Sequence, residues 1–455
     1  MRGGCALWPV IAAVFQALAF GSDTPYVVGP NVQVSLDLAT VQHYETQIAA
    51  DPARPRHLVA CAYVIRPGQS SDNVFYASFD GGRTWKHTLT VPDSVDPSCA
   101  IGLKHAAFAA GIHDVKQADG SSPSFLDVRR SADGGRTWRE SSIRTDTRSF
   151  DRTYLTVDDS RGPFHGRVYV HGYLQRPPAA FAFYPSLTGE SFDRAIVQAA
   201  AVFAKPWFFP ANGVVSSDGV FAALFVELDN TRRNMSYRTD PGAAPTEVNG
   251  ALQIVYSRDG GQTLEPAAKI ADIYYDWRVP QLSMASLAVD RGSSSFRGRM
   301  YAAWPGAGPG QRTQIFFSCS TSDGKWSAPR VVSDDAASLP AEFMPNNFMP
   351  VVAVNRSGVV GLSWYDRRDN PDDLGYQVRF SASLDGGATW LPSVRVSTHG
   401  NLVNAAEHDT RYNGGDTAGL TADAAGVFHP LWIDNRTGVH QMWTAAIRVR
   451  QPSRR

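Results

Sequence analysis

The chain is 455 residues long, and its 43 Lys plus Arg balance 43 Asp plus Glu. A formal net charge of zero excludes the field that draws basic proteins to nucleic acid or to an anionic membrane surface. Aromatic residues at 11 % and 39 glycines, against 19 % charged residues, suit an all-β protein that buries strand faces and turns tightly.

Met1-Arg2 leads into an apolar stretch from Ala6 to Phe20, with small-residue cleavage points at Ala17-Leu18-Ala19 and Ala19-Phe20-Gly21. About 15 apolar residues are too few for a membrane span, so residues 1–22 read as a secretory signal. Residues 23–455 then form one secreted or periplasmic domain, expected to be a monomer. No other segment is long and apolar enough to cross a bilayer. Cys5 leaves with the signal, and Cys61, Cys99 and Cys319 remain. Cys61 and Cys99 fall in adjacent repeats, which leaves open a disulfide or two buried thiols. No cysteine spacing resembles a zinc or iron–sulfur site, and no cofactor is expected. The Asp366–Asp373 loop reads as a solvated polar turn, with a structural calcium as the alternative.

From residue 78 onward one phrase recurs: Ser78-Phe79-Asp80-Gly81-Gly82-Arg83-Thr84-Trp85, Ser131–Trp138 and Ser383–Trp390. Ser257–Leu264 lacks only the tryptophan, and Ser322-Asp323-Gly324-Lys325-Trp326 keeps the core. Asp followed by Gly-Gly makes a tight hairpin turn, since glycine takes positive φ without steric cost. Asp, Ser and Thr side chains can bond the turn backbone, and the Trp packs beside it. The wide gap between the copies at Ser131 and Ser257 is close to two periods, so a decayed copy is expected there, at Pro185–Glu190. Strand pairs read at Glu45–Val64, Asp96–His113, Asp151–Tyr173, Lys205–Glu227, Met284–Trp304, Asn347–Asp366 and Asp416–Asp434 give seven units. The fold class is therefore an all-β propeller of four-stranded antiparallel blades, seven favoured and six the alternative. Asn31–Asp37 is expected to lend a closing outer strand to the last blade.

These phrases are the Asp boxes of the sialidase-like β-propellers, and the chain resembles that superfamily from about residue 30 onward. The resemblance implies that the boxes sit on the turn between the third and fourth strands of each blade, away from the active face. It also implies six blades in the catalytic members. Those enzymes hold a substrate carboxylate with three arginines and attack with a tyrosine that a glutamate activates. An aspartate serves as acid and base. A neutral phenol avoids repulsion from the substrate's own carboxylate. Carried onto this sequence, the resemblance nominates Arg278, Arg367 and Arg436 as guanidinium groups. It nominates Tyr412 as the phenol, Glu227 as its base, and Asp96 or Asp151 as acid/base. The family's N-terminal Arg-Ile-Pro or Arg-Leu-Pro motif is absent, and Arg66-Pro67 is the nearest substitute.

In a propeller, the start of each first strand and the end of each second strand converge at the channel mouth, where ligands bind. Those positions hold Glu45, Asp96, Asp151, Arg152, Glu227, Asp366, Arg367, Asp416, Asp434 and Arg436. Trp364-Tyr365-Asp366-Arg367-Arg368 and Trp432-Ile433-Asp434-Asn435-Arg436 share Trp-x-Asp-x-Arg. Such Asp–Arg pairs either lock neighbouring blades or grip an acidic sugar. There is no Gly-x-Ser-x-Gly elbow, P-loop, His-Glu-x-x-His or dinucleotide fingerprint. The leading expectation is a glycoside hydrolase acting on terminal acidic sugars of glycans. The alternatives are a non-catalytic propeller binding glycan or protein at its top face and a polysaccharide lyase using Tyr412 with His408.

Overall fold

The computed structural model describes residues 24–450 except Pro67, Gln69 and the segments 115–123, 140–143, 147–149, 175–178, 200–201, 203–205, 230–246, 277–284, 308–311, 322–323, 336–345, 371–374 and 402–413. The signal at 1–22, Arg278, Tyr412 and His408 lie outside the described residues.

Six blades are simple four-stranded meanders in chain order, running 42–91, 94–146, 150–199, 206–276, 286–331 and 347–395. The seventh is assembled from both ends of the chain. Gly419–Ala422, Phe428–Asp434 and Gln441–Thr444 supply three strands, and Val32–Gln33 pairs with Thr444 and Trp443 as the fourth. Tyr26–Val28 pairs with Ile447–Val449 on the same blade. The ring therefore closes through backbone hydrogen bonds and leaves no exposed gap between first and last blades. The only helical turns among the described residues are Leu36–Leu38 and Leu103–His105.

The core lies in the seams between blades. Apolar faces of neighbouring sheets interlock there, as where Val59, Cys61 and Phe75 of the first blade meet Cys99 and Ala109 of the second. Cys61 and Cys99 face one another in this seam as buried free thiols.

The boxes do what their residues dictate. In the second blade, Ser131 Oγ accepts the Gly135 N–H at 2.7 Å. Asp133 Oδ1 takes the N–H groups of Arg136 and Thr137 at 3.0 and 2.9 Å, and the Thr137 hydroxyl closes on Oδ2 at 2.6 Å. Ser78–Trp85, Ser257–Leu264 and Ser383–Trp390 repeat the pattern. All four sit between third and fourth strands, on the face opposite the starts of the innermost strands. The decayed copy is there too, with Ser186 Oγ accepting from Gly189 N at 2.8 Å. Each box also locks onto the blade before it. His57 of the first blade bonds the Gly134 carbonyl at 2.7 Å, and a Cβ on Gly134 would lie 2.5 Å from its ring.

Candidate active site at the channel mouth

The innermost strands are not regular. Register slips between Tyr44 and Gln47, Val95 and Ser98, Asp151 and Tyr154, and Phe348 and Val351. At each slip one non-glycine residue is left-handed: Glu45 (φ 52), Asp96 (φ 54), Arg152 (φ 60) and Met349 (φ 55). An L-residue adopts this conformation at a cost that surrounding contacts must cover, and such bulges re-aim a side chain. Here the bulge recurs in the first, second, third and sixth blades and turns Glu45, Asp96 and Arg152 into the mouth. Asp416 joins them from the seventh blade just ahead of its innermost strand. The Gly414 carbonyl accepts the Glu45 N–H at 2.8 Å. Gly415, at φ +90, must be glycine because a Cβ would lie 2.4 Å from Glu45 Cγ.

Five of the sequence-nominated residues are thereby brought together: Glu45, Asp96, Asp151, Arg152 and Asp416. The Arg152 guanidinium pairs with Asp416, and its backbone N–H donates to Asp96 Oδ2 at 2.7 Å. Asp96 is pushed well above the carboxylate range by burial first, then by the charge of Asp151 and a hydrogen bond to it. Glu45 is raised by burial first, then by Asp416 and Asp96. The Arg152 guanidinium is raised well above its ordinary value: its burial acts against this, but Asp416 and Asp151 outweigh it. Tyr63 and Tyr154, both buried beside this group, are driven up by burial above all, which keeps the phenols neutral.

The cleft among Glu45, Asp96, Arg152 and Asp416 encloses about 10 Å³, room for one water-sized group. It adjoins a channel cavity of about 120 Å³ reached past Tyr154 and Asp416. On the far side of that cavity the mouth turns neutral, with Asn212 and Met349. Thr153 lines the cleft, is 2 % exposed, and its hydroxyl has no partner among the described residues.

The remaining nominated residues that the structure describes sit elsewhere. Glu227 is fully buried, accepting the Val202 N–H at 2.9 Å and the Gln253 amide. Asp366 accepts the Trp364 indole at 2.9 Å and two guanidinium nitrogens of Arg368, which also reaches Asp334 at 2.7 Å. Arg367 lies over the Phe348 ring and donates to the Gly375 carbonyl at 3.0 Å. Asp434 repeats the scheme, with the Trp432 indole at 2.9 Å and Arg436 closing on it. Arg436 then reaches Asn31 and Thr398 at 3.1 and 3.0 Å and lies over Trp443. The two Trp-x-Asp-x-Arg motifs are thus struts between neighbouring blades.

Sequence reasoning missed Thr153 and the bulge. The signal was present: Glu45-Thr46, Asp96-Pro97, Arg152-Thr153 and Met349-Pro350 fall at the register slips and Asp416-Thr417 stands just ahead of a strand, each pair a residue followed by Thr or Pro.

No family model matches the sequence, and no curated protein matches it. Solved structures resemble it in shape. An intramolecular trans-sialidase from Ruminococcus gnavus, in complex with oseltamivir carboxylate, shares 11 % identity over 80 % of this chain and 99 % of its own, with a TM-score of 0.49. A protein of unknown function from Dyadobacter fermentans shares 12 % over 94 % of this chain and 100 % of its own, at 0.46. An alpha-L-arabinanase from Penicillium chrysogenum, complexed with arabinobiose, shares 11 % over 78 % and 93 %, at 0.43. At these identities the likeness is one of fold. By its meandering four-stranded blades, and with the recurrent Ser-x-Asp-Gly-Gly turns between their third and fourth strands, the chain is a seven-bladed β-propeller.

Proposed function

We propose that the protein is an exported glycoside hydrolase working at the mouth between its seventh, first, second and third blades. The observation that carries this reading is the Asp96–Asp151 contact. Burial first, and then the charge and hydrogen bond of Asp151, hold the Asp96 carboxyl well above the carboxylate range, beside an Asp416 side chain held by Arg152. Glycosidic cleavage needs that division: a carboxylic acid to protonate the leaving oxygen and a carboxylate to attack or to activate water. Asp96 takes the first role, with Asp151 sustaining its proton. Asp416 takes the second, positioned by Arg152. Export rests on the signal-like residues 1–22, and the substrate is a glycan.

The acidic-sugar form of this reading comes from the family resemblance. Within the described residues it has little support. Arg367 and Arg436 are committed to the protein itself, and Arg152 is paired with Asp416. It rests on Arg278 and Tyr412.

A second reading, a non-catalytic glycan-binding propeller, is favoured by the strut role of Arg368 and Arg436. A panel of chromogenic glycosides, neutral, amino-bearing and sialoside, separates the two. Turnover that disappears in both Asp96→Asn and Asp416→Asn supports the hydrolase. Glycan binding with no turnover on any member supports the binder.

A further inference from the structure

Among the described residues the mouth gathers four carboxyl groups, Glu45, Asp96, Asp151 and Asp416, around one cation, Arg152. That cation is engaged by Asp416 through its side chain, and its backbone N–H is engaged by Asp96. The other described groups facing the cluster are the phenols of Tyr63 and Tyr154, which burial keeps neutral, and that of Tyr173. A ligand carboxylate entering here meets net negative charge from these described groups in a partly desolvated cleft, where like-charge repulsion is strong. The space between Glu45, Asp96 and Asp416 holds one water-sized group, which is the size of an ammonium. Beside it the buried Thr153 hydroxyl waits for a donor or acceptor. A desolvated, unpaired hydroxyl costs free energy that a bound ligand recovers.

We infer that the mouth selects a glycan bearing a free amino group, its ammonium seated among the carboxyl groups of Glu45, Asp96 and Asp416 with Thr153 beside it. This rests on the mouth being the glycan site. An ammonium is compact, carries three donors and forms charge-assisted bonds to carboxylates. Its positive charge favours the ionised form of Glu45, which burial first and then Asp416 and Asp96 hold protonated, so binding releases a proton.

The test is calorimetric titration of the full-length protein at pH 6 with three tetrasaccharides: a glucosamine oligomer, its fully N-acetylated counterpart and a uronic-acid oligomer. The amine is expected to bind at least tenfold more tightly than the N-acetylated chain, and the uronate weakest. High salt should erode the preference. Titration in two buffers of different ionisation heat should show proton release with the amine alone. Glu45→Gln should cut the amine preference severalfold, and its melting temperature checks that it folds. If it does not fold, the salt and proton-release measurements on the parent decide. Equal or tighter binding of the N-acetylated or uronate chain, or no binding of any, overturns the inference. Amine-selective binding without turnover would keep this inference while removing the hydrolase reading. Turnover of sialosides alone would do the reverse.

Discussion

Asp96 accepts the backbone N–H of Arg152 at 2.7 Å across the seam between the second and third blades. One carboxyl thus does two jobs, holding a left-handed bulge in the next blade and holding a proton against Asp151. The jobs separate on substitution. Asp96→Asn keeps an oxygen for the Arg152 N–H but has no proton to give. It should lower kcat/KM on the best glycoside by about 10²–10⁴-fold, the usual worth of a positioned acid, with little change in thermal stability. Asp96→Ala loses the acceptor as well and should also destabilise by about 1–3 kcal/mol. Steady-state kinetics beside differential scanning calorimetry reads both. Full activity in Asp96→Asn would end the role assigned to it.

The raised carboxyls fix the sign of a pH effect. Glu45 and Asp96 hold protons more tightly folded than unfolded. Stability therefore falls as pH rises from the ordinary carboxylate range to their folded values. Below that range both states are protonated and the effect vanishes. Glu45→Gln should accordingly raise the melting temperature at pH 7 and leave it nearly unchanged at pH 3. An equal gain at both pH values would show that repulsion at the mouth is not its source.

The boxes act in the opposite direction. Asp133 is lowered to about 2: its slight burial raises it, but bonds from Thr137, Ser131 and Arg136 outweigh that. This turn loses support as pH falls from the ordinary aspartate value toward 2. Asp133→Ala should destabilise by roughly 1–3 kcal/mol, and Gly134→Ala by at least as much, because it forces a Cβ onto His57 at φ +79. Neither should change kcat in the folded fraction, since the boxes lie on the face opposite the mouth. Denaturant titration with activity measured below the transition checks both halves.

The box spacing made the ring legible in one dimension, because a hairpin turn is local: Ser, Asp, Gly and Thr within eight residues contact one another. Even the decayed turn at Ser186 could be read this way, whereas the closing strand found at Val32–Gln33 was expected from the run Asn31–Asp37 and pairs across the chain with Trp443 and Thr444. The mouth was half legible. Strand-start positions nominated Glu45, Asp96, Asp151, Arg152 and Asp416, which do meet. The same rule nominated Asp366 and Asp434, whose carboxylates are instead captured by the indole two residues earlier and the guanidinium two residues later. Pattern alone gives those residues a position at a strand end. It does not say whether the side chain turns to the channel or along the seam. That depends on bulges whose left-handed residues, Glu45 and Arg152, carry no glycine to announce them.

The struts supply the last expectation. Asp434 is 1 % exposed, and Arg436 closes on it while tying Asn31 and Thr398 into the seventh blade. Removing the guanidinium leaves a buried carboxylate without its cation, which costs about 3–5 kcal/mol. It also loosens the N-terminal strand that completes the ring. Arg436→Ala should therefore lower the melting temperature sharply, while kcat and KM of the surviving folded protein stay put. Arg367→Ala, which strips the contacts to Phe348 and the Gly375 carbonyl, should behave alike. Were these arginines instead holding a substrate carboxylate, the outcome would invert. KM for an acidic glycoside would climb, kcat would fall and the melting temperature would barely move. Calorimetry and kinetics on the two variants therefore decide whether Arg436 of the second Trp-x-Asp-x-Arg motif and Arg367 within the first serve the ring or the ligand.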